Sequence, residues 1–248
     1  MTVRSFTPCA VIPVFNHERA VGHVLAALRQ AGLPCFLVDD GSSAECAREL
    51  DRLTAATPET FLVRLPVNQG KGGAVSAGLR AANAQGYSHA LQIDADGQHS
   101  LSDIPKFIAA SRAEPDSVIC GKPLFDKDMP ASRRYGRLLT HACVWLDTLS
   151  FDIPDSMCGF RVYPLKRVVD LIDSHRLGSR MDFDVEILVR LHWRGQRMRW
   201  LDTAVSYPMD GVSHFRLIWD NARMVALHTR LVPGMLIRMP LLLWRKVR

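Results

Sequence analysis

Nowhere in this sequence does an apolar run reach the roughly 18–20 residues that a membrane-spanning helix needs. LVPGMLIRMPLLLWRKVR at 231–248 comes nearest, but Arg238 and two prolines interrupt it. That stretch is apolar, ends in cations and carries Trp244. A segment lying in a membrane interface has this composition, and so does a C-terminal segment docked on its own domain. The opening MTVRSFTP lacks the apolar core of a signal peptide. The six cysteines include no C-x-x-C pair, so we expect them reduced and buried, as in a cytosolic protein. Internal repeats, low-complexity tracts and clear linkers are also missing. Neither G-x-x-x-x-G-K-[ST] nor G-x-G-x-x-G occurs, which excludes a P-loop and the dinucleotide-binding turn.

What is present is a chain of 248 residues, 48% hydrophobic and 23% charged, the profile of a folded globular protein. Its net charge of +6 favours anionic partners. Nucleic acid is not among the expected ones, because no aromatic-studded basic strand or recognition-helix motif accompanies the charge. Apolar runs at 9–15, 35–40, 60–66, 89–96 and 117–123 read as strands. They are too continuously apolar for a one-faced sheet, so helices should cover both faces. The stretches 18–31, 43–56, 71–85 and 103–114 fit helices, the last with Ser102 as its cap and a proline in its first turn. Strand and helix alternate, which argues for an α/β fold with a mostly parallel sheet. In the second half, 131–149 and 182–194 read as helices, 154–164 as a strand or extended loop, 197–207 as a strand, and a helix is expected near 215–230. We expect a catalytic domain over 1–214 and a helical, amphipathic extension over 215–248.

In such a sheet, ligands bind beyond the carboxyl ends of the strands. Four polar clusters fall there: PVFNHE, DDGSS, NQGKGG and DADGQH. In the last, Asp94, Asp96 and Gln98 offer hard oxygen ligands at alternate positions. Such a set suits Mg²⁺ or Mn²⁺, which bridges substrate phosphates and offsets the charge of a departing diphosphate. An acidic turn capping the next helix would be spelled the same way. Asp39 and Asp40 can accept from a ribose or base, or cap an Asp-Gly turn. The glycines around Lys71 open a helix whose N-terminus favours an anion.

These clusters, with CGFRVYP and MDFDVEIL, come in an order that resembles family 2 glycosyltransferases over roughly residues 8–215. The dolichyl- and polyprenyl-phosphate sugar synthases are the most similar branch. The resemblance implies a Rossmann-like GT-A fold, a UDP- or GDP-linked sugar donor, a divalent metal and inversion at the anomeric carbon. Position by position it implies that Pro13, Phe15, Glu18, Asp39, Asp40, Lys71 and Asp94 hold the nucleotide. Asp94, Asp96 and Gln98 would hold the metal.

An acceptor must attack from the face opposite the diphosphate. A lipid phosphate is ionised near neutral pH, its second pKa being about 6, and needs cations rather than a base. Arg133, Arg134 and Arg137 are candidates for that role, with Ser213 in a later loop. A hydroxyl acceptor needs a carboxylate to take its proton, and Asp182, Asp184 and Glu186 are the candidate catalytic acids. The same three acids would also suit a helix start. Two departures from the lipid-phosphate branch keep a hydroxyl acceptor open. Lys122 stands where an arginine is usual after the fifth strand, and Pro208 stands where an arginine precedes Gly211 and Ser213. The arginines and the apolar tail further lead us to expect peripheral contact with the inner face of the cytoplasmic membrane. A protein that binds a nucleotide sugar without catalysis is the alternative. A phosphatase reading of DADG fails, because that motif should follow the first strand and continue to Thr.

Overall fold

The computed structural model describes residues 5–125, 131–205 and 217–246. Seven strands form one sheet: β1 Pro8–Val14, β2 Cys35–Asp40, β3 Thr60–Leu65, β4 His89–Gln92, β5 Val118–Phe125, β6 Arg161–Pro164 and β7 Met198–Val205. Their spatial order is β3-β2-β1-β4-β6-β5-β7. All neighbours run parallel except β6, which lies antiparallel between β4 and β5.

The helices are α1 Val21–Gln30, α2 Ala44–Ala56, α3 Lys71–Ala84, α4 Ile104–Ala113, α5 Ala131–Thr148, α6 Leu165–Ser174, α7 Asp182–Trp193 and α8 Leu217–Trp244. They cover both faces of the sheet, for the reason the strand composition gives. Along β1, Ala10, Ile12 and Val14 pack with α1, α2 and α4, while Cys9 and Val11 face α3 and the helices of the second half. Each strand therefore feeds two cores with alternate residues.

The α4 start differs from expectation. A 3₁₀ turn, Leu101–Asp103, precedes it, and Ser102 bonds to the Ser100 hydroxyl instead of capping the helix. The proline does sit in the first turn of α4. Among the described residues no helix is long and apolar enough to cross a membrane. All six cysteines are free, five of them buried and Cys143 half-buried. Burial pushes the Cys35, Cys120 and Cys158 thiols up to about 12, so they stay protonated near neutral pH.

Candidate active site

The strand-end loops meet where the topology places them, beyond the carboxyl ends of β1, β2 and β4. Pro13 is half-buried within β1, opposite Val38 in the register, and Phe15 follows directly. Asn16 takes φ 55° and accepts from the Ser43 N–H at 2.8 Å, while its own N–H reaches Ser42 Oγ at 3.2 Å. The first two loops are thus laced together. Glu18 is half-buried, and its Oε2 is a buried acceptor with no hydrogen-bond donor among the described residues.

Asp39 and Asp40, both 2% exposed, serve the turns around them. Asp39 accepts from the Ser42 N–H at 2.9 Å and from Arg64 Nε at 3.0 Å. Asp40 accepts from the backbone N–H of Gln69 at 2.6 Å and of Gly70 at 2.8 Å. Burial pushes the Asp40 carboxyl above its usual range, against those two donors. Gly70 takes φ 87°, a left-handed conformation that glycine adopts without a Cβ penalty. Together these fix the turn that delivers Lys71, the first residue of α3, across the top of the sheet.

Lys71 Nζ lies 2.8 Å from the Asp94 carboxylate and 3.0 Å from that of Asp184. Asp184 also accepts from Gln92 Nε2 at 3.1 Å. Fully buried Arg161 comes within 3.7 Å of it and donates to the Asp184 carbonyl at 2.8 Å. Two cations and two carboxylates thus form a compact ionic cluster at the strand ends. Burial opposes each charge, but the acids hold Lys71 protonated and Lys71, helped by His99, holds Asp94 ionised below the usual range. His99 Nε2 stands 3.7 Å from Asp94, and its ring stacks on Phe160 at 5.3 Å.

Asp96 has a different environment. Its Oδ1 accepts the Gln98 backbone N–H at 3.0 Å, and Gln98 is half-buried on the same turn. Burial, then the charge of Asp94, pushes the Asp96 carboxyl above its usual range. The inner cluster is already balanced, so Asp96 adds negative charge that a cation at this point would offset. No three His, Cys, Asp or Glu side chains form a metal cage among the described residues. A hard divalent ion that completes its shell with water and substrate phosphate needs no such cage. Asp94 and Asp96 therefore fit Mg²⁺ or Mn²⁺ by donor chemistry.

The acids of α7 separate by face. Asp182 and Glu186 both face the loop before the helix. Asp182 accepts from the Arg180 N–H at 3.1 Å and Glu186 from the Gly178 N–H at 2.8 Å. Glu186 is fully buried and also pairs with Arg190 and Arg230, at 2.7 and 2.6 Å. Asp184 faces Lys71 instead. Of the three, only Asp182 keeps a half-exposed position. Arg137, expected to receive an acceptor, donates to Asp155 at 2.7 Å and is mostly buried. Asp155 in turn accepts the N–H groups of Met157 and Cys158, at 3.0 and 2.9 Å. Arg137 thus braces the loop leading to Gly159, under the cluster. Lys122, exposed, lies 3.9 Å from Asp202. The side chains of Arg133 and Arg134, and Pro208, Gly211 and Ser213, lie outside the described residues.

Sequence reasoning missed Gln92, His99, Gly159 and Arg161. His99 and Arg161 stand inside stretches that had drawn attention, DADGQH and CGFRVYP, yet only the fold shows what they touch.

Solved structures share this architecture. Glucosyl-3-phosphoglycerate synthase from Mycobacterium tuberculosis, in complex with Mn²⁺, UDP-glucose and phosphoglyceric acid, aligns with a TM-score of 0.66 at 14% identity, over 93% of this chain and 80% of that one. The fold is that of the GT-A glycosyltransferases. The sequence profile of glycosyl transferase family 2 matches residues 9–169, more than half of the chain, and the chain belongs to that family. Among relatives, an undecaprenyl-phosphate mannosyltransferase from Micrococcus luteus is 28% identical over 69% of this chain and 74% of that protein. A UDP-N-acetylglucosamine–dolichyl-phosphate N-acetylglucosaminyltransferase from Methanococcus voltae is 26% identical over 72% and 77%. The protein is a glycosyltransferase, and its named relatives include transferases of polyprenyl phosphates.

Proposed function

We propose that this enzyme transfers a sugar, with inversion, from a UDP- or GDP-linked donor to a lipid phosphate at the cytoplasmic face of a membrane. The carrying observation is the convergence of Lys71, Asp94 and Asp184 from three separate elements at the strand ends. Asp94, Asp96 and Gln98 would hold Mg²⁺ or Mn²⁺, which when bound offsets the charge of the leaving diphosphate. The solved neighbour carrying Mn²⁺ and UDP-glucose supports a metal-assisted donor site. Pro13, Phe15 and Glu18 line the nucleotide side, where the buried Glu18 Oε2 needs a donor such as a base N–H or ribose hydroxyl. Asp39 and Asp40 shape that side by holding its turns.

In the transfer, an acceptor oxygen forms a bond to the anomeric carbon as the bond to the diphosphate breaks on the opposite face. The α7 acids favour an acceptor that arrives already ionised. Asp184 and Glu186 are buried and ion-paired, so neither is placed to take a proton from a hydroxyl. The names of the relatives point to the same chemistry. Arg133, Arg134 and Ser213 stay assigned to the acceptor side.

A thermal-shift panel of UDP- and GDP-sugars with Mn²⁺ tests the donor site. One nucleotide should raise the melting temperature, and Asp96→Ala should erase the metal-dependent part. If none does, the donor assignment is wrong. Replacing Asp182 by Asn separates the acceptor classes. A phosphate acceptor predicts turnover within a few-fold of wild type, whereas a hydroxyl acceptor predicts loss of about 10²–10⁴-fold.

A further inference from the structure

The cations already described at the strand ends are spoken for. Lys71 is held between Asp94 and Asp184, and Arg161 donates to the carbonyls of Asp184 and Ser156. Arg64 pairs with Asp39 and Asp51, and Arg137 with Asp155. The N-terminus of α3, a place that favours anions, is partly spent as well. Its Gly70 N–H goes to Asp40, and its Gly73 N–H donates to the Ser179 carbonyl at 2.9 Å. A divalent ion on Asp94 and Asp96 would offset Asp96 first. A diphosphate carries more than one negative charge, so it calls for a further cation.

The loop that closes over the α3 terminus supplies one. It lies directly on Gly70, where a Cβ would stand 2.5 Å from Arg180 Cγ, 2.7 Å from the Ser179 carbonyl oxygen and 3.3 Å from Arg180 Cα. The bare Gly70 turn is what lets the Arg180 stem rest there. The loop is pinned on both sides of this contact: the Gly178 N–H donates to Glu186 at 2.8 Å and the Arg180 N–H to Asp182 at 3.1 Å. Arg180 is half-buried, and its guanidinium has no hydrogen bond or ion pair among the described residues. Its charge reaches Asp40. Burial raises that carboxyl, and the Gln69 and Gly70 N–H groups and then Arg180 work the other way. A guanidinium held by its stem, with its N–H fork unused, matches the oxygens of a phosphate.

We propose that Arg180 binds the diphosphate of the sugar donor. The proposal deepens the donor reading above and rests on it. An acceptor phosphate offers the same oxygen chemistry, but Arg180 lies on the turn that Asp40 holds, which is the nucleotide side.

Calorimetric titration with UDP and GDP in the presence of Mn²⁺, followed by steady-state kinetics, tests this. Arg180→Ala should weaken the nucleoside diphosphate that the wild type binds by about tenfold or more, as loss of a charge-assisted pair does. The KM for the donor should rise with it, while the KM for the acceptor stays within about twofold of wild type. Arg180→Lys should recover part of the loss. The urea midpoint should not move, because the side chain has no partner to lose. A wild-type measurement guards against a variant that fails to fold: UDP or GDP should shield Arg180 from phenylglyoxal, read by mass spectrometry, and the matching nucleoside should not. Equal labelling with and without nucleotide overturns the proposal, and so does wild-type affinity in Arg180→Ala. A rise confined to the KM for the acceptor also overturns it, by placing Arg180 on the other substrate. Each of these three results leaves the donor site standing. A wild type that binds neither UDP nor GDP sinks the donor site itself, and this assignment with it.

Discussion

Around Lys71 the packing leaves no room for an extra carbon. A Cβ at Gly159 would lie 2.6 Å from Lys71 Nζ, 3.0 Å from Gln92 Nε2 and 3.2 Å from Asp94 Oδ1. Gly159→Ala should therefore push Lys71 off Asp94 and cut turnover by about tenfold or more, because small displacements at a reacting centre carry such penalties. Steady-state kinetics, with circular dichroism to confirm the fold, decides it; wild-type turnover would mean that the Lys71–Asp94 contact does not matter. Asp184→Asn tests the charge balance beneath. It leaves Lys71 and Arg161 facing Asp94 alone, and loss of one partner from a buried ionic group costs about 3–5 kcal/mol. Urea unfolding should show a loss of that size, and an unchanged midpoint would mean the four groups are not one electrostatic unit. Asp94, Asp96 and Lys71 were legible in the sequence because each sits in a short motif at a strand end. Of the counter-charges, Asp184 was legible only as a candidate acid and Arg161 not at all. Arg161 lies on an antiparallel strand and Asp184 within a helix, and only tertiary packing brings them to Lys71.

Elements were legible where two periodicities alternate cleanly. The apolar runs of β1, β2 and β3 and the helices between them fall within a few residues of expectation. The antiparallel β6 was harder, because a strand of four residues carries no signal of direction. Helix α6 escaped notice: it begins immediately after β6 at Leu165, with no polar linker to mark it. Helix α8 runs through Pro233 and Pro240, where a sequence reading would stop near 230. Strand β4 also carries a pH response. His89 Nε2 faces the Pro115 carbonyl and Nδ1 faces Ser88 Oγ, each at 2.8 Å, which suits a neutral ring donating from Nε2. Burial holds His89 below its ordinary 6.5, although the Pro115 carbonyl works the other way. Burial likewise lowers His141. For such a group the unfolded chain takes up the proton first. Stability should be complete above the ordinary value and fall as pH drops through it. Urea midpoints measured from about pH 7.5 to 5.5 should decline, and His89→Gln should flatten part of that slope. An identical slope in the variant would refute the assignment.

At the scale of the whole molecule, the question is whether the segment after residue 214 is an appendage or a wall of the core. Composition alone allowed both, since an amphipathic stretch reads the same whether its apolar face meets protein or lipid. The structure shows the first of these on one side of α8. Met224, Leu227, Leu231, Met235 and Leu242 join the core that also holds residues of α3, α6 and α7, while the neighbouring turns of α8 stay bare. Arg230 of α8 closes over Glu186, and Arg245 donates to the Trp193 carbonyl at 3.1 Å. Five buried apolar side chains, at about 1.5–3 kcal/mol each, are comparable with the entire 5–15 kcal/mol stability of a typical domain. A chain ended after residue 214 should therefore fail to give a cooperative urea transition. It should also show no thermal shift with donor nucleotide, although every strand-end loop named above is still present. If that shortened chain unfolded in one sharp step and still bound nucleotide, α8 would be a detachable membrane anchor. The core on that face of the sheet would then close without it, against the burial seen for Leu227 and Leu231.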